Sequence, residues 1–387
     1  MTSSIGPTAR VAVLVPLIWR PDKPNFRRIW ELLSHRFEGA VFTLSEPGRS
    51  GAWMGSFRFI SAEGSGLIGK IRRVWVQTAG VLWEAFRRGR FDLIIVYDPY
   101  ASGLAGRLVA GLLRSRLIVE MNGDYHELEP KGGPFKRRVM SFVMAQVFRR
   151  ADAVRVLNRS QEAYIRQNFL GTRIFRFADF TPVDLFLKSS PDYGDYFLFV
   201  GYPFWLKGVD VLIKAFRQVH QEHPELRLRI MGHCPPPEDE PFRRLAEGCP
   251  NIEFIPPAWI EDVAREMRGA LALVNPARTE AMGRVHIEAM ASAKPVVASR
   301  TNGAREIVQP GHTGLLVNID DVDDLANGLK WIAENREAAR KMGERGRERV
   351  RELYTETMYR ENVTNMIFST LDAGRGSPVP RPPVSGA

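Results

Sequence analysis

Apolar runs of strand length alternate with helix-period segments along the first half of the chain. Residues 11–17, 91–97, 116–121 and 153–157 are short and nearly continuous in aliphatic side chains. That is the pattern of strands buried on both faces. Residues 102–113, rich in Gly, Ala and Leu, fit a closely packed helix between two of them. The pattern then restarts. Residues 196–200 predict a strand ending at Gly201, and Val209, Leu212, Ile213, Phe216 and Val219 mark one face of a helix over 209–220. Residues 226–231, 252–255, 271–274 and 295–298 read as further strands. Apolar strands separated by helices imply parallel sheets covered on both sides. Two such series predict an α/β fold of two Rossmann-like, doubly wound domains facing across a cleft.

The joint between the series falls near residues 180–192, a loop-like stretch holding Pro182 and Pro191. This gives an N-terminal domain over 1–186 and a C-terminal domain over 187–373, its last helices free to pack back on the first. Residues 330–351 are charged and helix-forming. Residues 45–66, rich in Gly and Ser, read as a mobile loop. Residues 374–387, rich in Pro, Gly and Ser, read as a disordered tail.

Composition narrows the class. A chain of 387 residues is too long for one ordinary core. Two cysteines, Cys234 and Cys249, exclude a disulfide framework and a Cys-rich zinc site, so a reducing compartment is the default. No apolar run reaches the roughly 18–20 residues of a spanning helix. The first apolar run is followed by Trp19 and Arg20 with no small-residue cleavage site, which favours a buried strand over a signal peptide. The expected location is cytoplasmic, at most peripheral on the inner face of the cytoplasmic membrane. The formal net charge of +10 is uneven. Residues 1–186 hold 28 Lys and Arg against 16 Asp and Glu (net +12), leaving 26 against 28 (net −2) for the rest. The N-terminal half alone therefore calls for an anionic partner.

In open parallel sheets, ligands sit beyond the carboxyl ends of strands, so the residues there carry the candidate chemistry. The segment 275–290 places Glu280 ahead of a helix beginning near Gly283 and Glu288 inside it. A helix N-terminus offers free amides and a positive dipole end to an anion. Carboxylates accept hydrogen bonds from sugar hydroxyls. The combination fits a sugar nucleotide, and equally a solvated helix with two surface glutamates. Lys207, in the turn 200–208, suits a phosphate or is an ordinary exposed lysine. Gly303 in 302–306 permits close backbone approach. Asn122, Asp124 and His126 are placed to position an acceptor, or simply make an Asn-Gly turn. The seven histidines lack metal-ligand spacing, and His220 and His223 read as surface groups, so no metal site is expected.

Together these strand ends resemble the retaining nucleotide-sugar glycosyltransferases of the GT-B fold, family 4 (glycosyl transferases group 1). Lys207-Gly208 with its following helix, the Glu280/Glu288 pair seven residues apart, Pro295-Val-Val-Ala-Ser, Glu306-Ile-Val and Gly311-His-Thr-Gly-Leu-Leu-Val317 stand in the family's order. Weaker matches are Phe91-Asp-Leu-Ile-Ile, Arg150-Ala-Asp-Ala-Val and Val183-Asp-Leu-Phe. The resemblance implies transfer of a hexose from a nucleotide-sugar donor to a glycan or lipid-linked acceptor, in bacterial cell-surface polysaccharide or glycolipid biosynthesis. It implies that Lys207 pairs with the donor diphosphate, Glu288 holds ribose hydroxyls and Glu280 contacts the transferred sugar. Gly201, Tyr202, Met282, Gly283 and Arg284 then line the donor, and no cofactor or metal is required. Attack is from the front face, the leaving phosphate taking the acceptor proton. Two positions depart from the family. Tyr202 stands where an Arg is usual, leaving Arg284 as a substitute cation. Asn122-Gly123 stands where His-Gly is usual, leaving His126 as a substitute for the histidine. Trp259 and Ala258 border the base pocket by fold analogy.

The resemblance assigns the acceptor to the basic N-terminal domain. Arg27-Arg28, Arg72-Arg73 with Trp75, Arg87-Arg88-Arg90, Lys136-Arg137-Arg138 and Arg149-Arg150 lie there. Residues 136–150 have the make-up of a basic amphipathic helix, read either as docking on an anionic membrane surface or as a core-facing helix with a solvated basic face. A nucleic-acid-binding protein explains the charge but not Glu280 and Glu288, and shows no helix-turn-helix or stacking motif; no nucleic acid is expected. A catalytically idle sugar-nucleotide-binding or scaffold subunit is the other rival, suggested by Tyr202 and Asn122. A phosphorylase or epimerase fits less well, for want of a cofactor lysine signature.

Overall fold

The computed structural model describes residues 9–18, 24–44, 52–62, 66–127, 133–188 and 192–372. The chain forms two units, Met1–Phe177 with Arg360–Ala387, and Ala178–Tyr359. They part ahead of the prolines that mark the joint in the sequence. The tail 374–387 and most of the Gly/Ser-rich flanks of 52–62 lie outside the described residues.

The first unit runs β1 (Ala9–Ile18), α1 (Pro24–Leu33), β2 (Phe37–Leu44), β3 (Trp53–Met54), β4 (Phe57–Ala62), α2 (Gly66–Arg88), β5 (Leu93–Val96), α3 (Ala101–Leu113), β6 (Arg116–Met121), α4 (Gly133–Phe148), β7 (Ala153–Val156), α5 (Arg159–Asn168) and β8 (Arg173–Arg176). Its eight strands lie in the order β3-β4-β2-β1-β5-β6-β7-β8. All neighbours are parallel except the antiparallel pair β3 and β4. That pair corrects the sequence reading of 45–66 as one loop: Trp53, Phe57 and Phe59 supply strand side chains where the flanking Gly and Ser suggest none. Phe57 and Phe59 pack their rings on the buried Trp30.

From β4 onward the crossovers advance in one direction along the sheet, which puts α2, α3, α4 and α5 on the same face. α3 packs against both α2 and α4. Its Gly, Ala and Ser face (Ser102, Gly103, Ala105, Gly106) is buried against the strands, as the small residues predict.

The second unit runs α6 (Asp184–Leu187), β9 (Tyr196–Val200), α7 (Val209–Glu222), β10 (Arg227–Met231), α8 (Glu240–Ala246), β11 (Ile252–Ile255), α9 (Ile260–Gly269), β12 (Ala272–Asn275), α10 (Arg284–Ala291), β13 (Val296–Ser299), α11 (Asn302–Ile307), β14 (Gly314–Val317), α12 (Val322–Glu334) and α13 (Arg336–Leu353). A last helix, α14 (Glu356–Leu371), begins here, and its residues from Arg360 onward belong to the first unit, where Phe368 packs on Phe37. The charged stretch 330–351 is broken at Asn335, which caps α12 and starts α13.

All six strands of the second sheet are parallel, in the order β11-β10-β9-β12-β13-β14. The chain enters at β9, winds outward to β11, returns to pair β12 beside β9, and winds outward the other way. The reversal leaves a crevice beyond the carboxyl ends of β9 and β12, where an open α/β sheet takes its ligand. Among the described residues, no helix is long and apolar enough to cross a membrane.

One buried charge pair sits inside the first sheet. Glu120 of β6 and Arg155 of β7 are cross-strand neighbours, 4% and 2% exposed, with Nη1 donating to Oε2 at 2.8 Å. The guanidinium also lies 4.5 Å over the Phe177 ring. Removing one partner of such a pair costs far more than removing both. Arg155→Leu is therefore expected to destabilise the first unit by about 3 kcal/mol. Arg155→Leu combined with Glu120→Met should recover most of that loss in a denaturant titration.

Candidate functional site

Two loops meet at the crevice, one after β9 and one after β12. The β9 loop closes on itself through short backbone bonds: the Lys207 amide donates to Pro203 O at 3.0 Å, and those of Gly208 and Val209 to Trp205 O and Phe204 O at 3.1 Å each. Gly208 ends it with φ of +69°, and a Cβ there would lie 2.0 Å from Pro276 O of the facing loop. Only glycine fits both the left-handed backbone and the close approach.

Arg278, from the β12 loop, joins the two. Its amide donates to Leu206 O at 3.0 Å. Its guanidinium makes a bidentate pair with Asp210 in the first turn of α7, at 2.9 and 2.8 Å, and a third contact to Asp320 at 2.8 Å. It also donates to Trp205 O and lies 4.1 Å over the Trp205 ring. The turn bearing Lys207 is thus held from both ends. The consequence is a short charge contact: Lys207 Nζ lies 2.5 Å from Glu280 Oε2, with both side chains less than one-fifth exposed.

Glu280 lies in the loop and Gly283 caps α10, with φ of +81°. A Cβ at Gly283 would stand 2.5 Å from His286 Nδ1 and 3.2 Å from Glu280 Cγ. The carboxylate, the helix start and the imidazole are therefore packed around one glycine. Met282 is buried, its Sδ accepting from the Asp179 amide at 3.1 Å. Arg284 is exposed. Glu288 is partly buried, and burial pushes its carboxyl above the ordinary range while Arg284 pulls it down. The Gly303 amide donates to Glu280 O at 2.7 Å, tying the loop to the start of α11. Gly201 follows β9, its amide on Met231 O and Lys207 Cγ beside it. Tyr202 is 46% exposed, its ring 6.0 Å from that of His233. A cavity of about 190 Å³ opens beyond β10 and β11, lined by Phe204, Gly232, His233, Cys234, Arg243 and Pro256 among others. Ala258 and Trp259 do not line it, and Trp259 is largely exposed. β11 hands over through Pro256 and Pro257 before those two residues are reached.

In the first unit, Asn122 follows β6 and donates from Nδ2 to Tyr97 O at 3.1 Å. Its buried Oδ1 has no hydrogen-bond partner among the described residues. His126 is drawn onto α5: Nε2 lies 3.0 Å from Ser160 Oγ and 3.3 Å from Glu127, and the ring is 4.9 Å from that of Tyr164. Asp124 is buried and accepts from Asn158 and Gln161, the work of a turn anchor. The structure thus brings Lys207 and Glu280 into contact, with Gly283 and Met282 packed beside Glu280. Asn122 and His126 go to different neighbours.

Sequence reasoning passed over Arg278, Asp210, Asn275 and His286. Three of them stand inside the 275–290 segment, where a second polar residue type every few positions was the available signal. Asp210 gives no signal, because its partner is 68 residues away. His286 is fully buried; its Nε2 lies 2.8 Å from the Asn275 side-chain amide, and its Nδ1 has no hydrogen-bond partner among the described residues. Burial lowers its pKa from 6.5 to about 4, Glu280 opposing and Lys207 assisting. The folded protein therefore binds fewer protons here than the unfolded chain between those two values, and stability falls as pH drops through that window. The expected loss is about 3 kcal/mol. His286→Gln should flatten the dependence of the unfolding free energy on pH between 6.5 and 4.

Comparison with known proteins bears on the family and the fold. Residues 187–349 match the model of glycosyl transferases group 1, and residues 17–175 that of the glycosyl transferase 4-like domain. A D-inositol 3-phosphate glycosyltransferase of Corynebacterium kroppenstedtii is 33% identical over 154 residues, 38% of this chain and 34% of that protein. The chain spans less than half the length of the curated relatives it matches. Sucrose-phosphate synthase of Thermosynechococcus elongatus superposes with a TM-score of 0.80 at 21% identity, over 94% of this chain and all of that one. Anabaena HepE, solved in complex with UDP, superposes at 0.74 and 16% identity, over 92% and 99%. These two share the GT-B fold with this protein. With family models covering the larger part of both units, the chain belongs to the glycosyl transferases group 1 family.

Proposed function

We propose that the second unit binds a nucleotide-sugar and that the protein transfers its hexose, with retention of configuration and without a metal, to a glycan or lipid-linked acceptor. The observation that carries this reading is the Lys207–Glu280 contact at the switch point, beside the amide end of α10. A cation and a carboxylate suited to sugar hydroxyls stand together there, each the other's partner in this structure. That a fold relative is solved with UDP supports a nucleoside diphosphate donor, and the inositol phosphate relatives support an acceptor bearing hydroxyls and negative charge.

On this reading the anomeric C–O bond of the donor breaks as the acceptor oxygen bonds to the same carbon. Positive charge builds on the sugar ring and negative charge on the departing diphosphate. Lys207 exchanges Glu280 for the diphosphate, and the first amides of α10 face it, so charge is met where it develops. The acceptor proton passes to the departing phosphate oxygen. Glu280, released from Lys207, turns to the sugar, and Glu288 takes ribose hydroxyls. A binding-only subunit is favoured by one observation, the exposed Tyr202 where the family places a cation.

Calorimetric titration with UDP-, GDP- and ADP-sugars, followed by transfer assays with the best binder, separates the two readings. Lys207→Ala and Glu280→Ala are each expected to lower transfer by about 10²–10³-fold with the fold intact by circular dichroism. Chelator should leave the rate unchanged. Binding without transfer to any glycan or lipid acceptor would select the binding-only subunit. Transfer that survives both substitutions would move the site elsewhere.

A further inference from the structure

α2, α3 and α4 lie side by side on one face of the first sheet, and their surface is of an unusual kind. Their sequences hold nine Lys and Arg and a single acid, Glu84. Glu84 is buried and paired with Arg58 at 3.0 Å and Arg88 at 3.1 Å. Arg87, Arg88, Lys136, Arg137 and Arg138 are exposed, and no described residue of the three helices is an exposed carboxylate.

The same layer exposes large apolar side chains that a monomer in water would ordinarily cover. On α2, Trp75, Trp83 and Phe86 are 70%, 60% and 84% exposed, and at helical spacing they fall within one arc. Trp83 stacks on Phe86 with ring centroids 6.2 Å apart, and the Arg87 guanidinium lies 5.8 Å over Trp83. Leu108 and Leu112 follow on α3, both exposed. On α4, Phe135, Val139 and Phe142 form an exposed stripe one turn apart, while core contact is left to Met144, Val147 and Phe148 at its far end. The reading of α4 as a core-facing helix with a solvated basic face does not hold for its first turns. Lys136, Arg137 and Arg138 are exposed beside the apolar stripe.

Aromatic and aliphatic tips among cations, with no exposed acid among the described residues of the three helices, match the interfacial layer of an anionic bilayer. An acidic protein surface would satisfy the cations but leave this many separated tips across three helices without pockets. We propose that the α2–α3–α4 layer docks on an anionic lipid bilayer, Trp75, Trp83, Phe86, Phe135 and Phe142 entering the interface and the flanking Lys and Arg meeting lipid phosphates. This widens the docking read from α4 in the sequence to a three-helix surface, and it stands or falls independently of the transfer reaction.

The test is flotation of the full chain with vesicles of phosphatidylcholine alone and of phosphatidylcholine with phosphatidylglycerol, at low and high salt. Co-flotation with the phosphatidylglycerol vesicles at low salt, weakened at high salt, is expected, with a blue shift of tryptophan emission. The triple variant Trp75→Ser, Trp83→Ser, Phe86→Ser should lose about tenfold or more in partitioning. Lys136→Gln, Arg137→Gln, Arg138→Gln should weaken it by a similar factor. Nucleotide-sugar binding by either variant, or its circular dichroism spectrum, certifies the fold. Absence of flotation with anionic vesicles at low salt overturns the proposal, as does flotation that neither variant changes. A concentration-dependent dimer abolished by the aromatic variant would also overturn it and give the face to a second copy of the chain.

Discussion

The parallel pairing of β12 with β9 is the constraint on which the second unit depends. Because the chain goes outward twice from that seam, the loops after the two strands have no neighbouring crossover between them. Their side chains meet in the open end of the sheet. Lys207 and Glu280 are 73 residues apart in the chain and in contact there. Two charges in a largely covered site are costly to desolvate unless each answers the other. The pair meets that cost internally, leaving two opposite charges held together at the open end of the sheet.

Holding that contact requires rigidity in a loop with little regular structure. Arg278 supplies it by binding carbonyls of one loop, a carboxylate of the following helix and an aromatic face at once. A planar guanidinium does this where a lysine would not, since its donors are fixed in a fork. Gly208 and Gly283 complete the arrangement by letting backbone approach where any side chain would intrude. Beneath them the neutral His286 fills the space under Gly283 without adding a charge to an already charged site.

Much of this was legible from composition and period. The strands β5, β12 and β13, buried at every residue, lie within a residue or two of the apolar runs, because burial on both faces leaves a strong signal in the sequence. The start of α10 at Gly283 was legible for the same reason that glycine is needed there. What escaped was of two kinds. Short strands in weakly apolar or glycine-bearing surroundings, such as β3, β4 and β14, draw their stability from neighbours already in the sheet and leave little local pattern. Side chains whose roles are set by distant partners escaped as well. Arg278 is one charge among many until Asp210 is folded beside it, and Arg155 gives no hint of burial until β6 supplies Glu120.

The passage of α14 from one unit to the other bears on how the chain is made. Phe37 near the start of the chain is covered by Phe368 near its end, and Arg173 donates to Ser369 O. A ribosome delivers β1 through β8 first, but the apolar surface that α14 covers stays open until residues 360–371 have emerged. The second unit, whose contacts close within residues 178–359, is complete earlier. The half synthesised first is thus the half finished last, and it waits with hydrophobic surface bare for as long as translation of the other half takes.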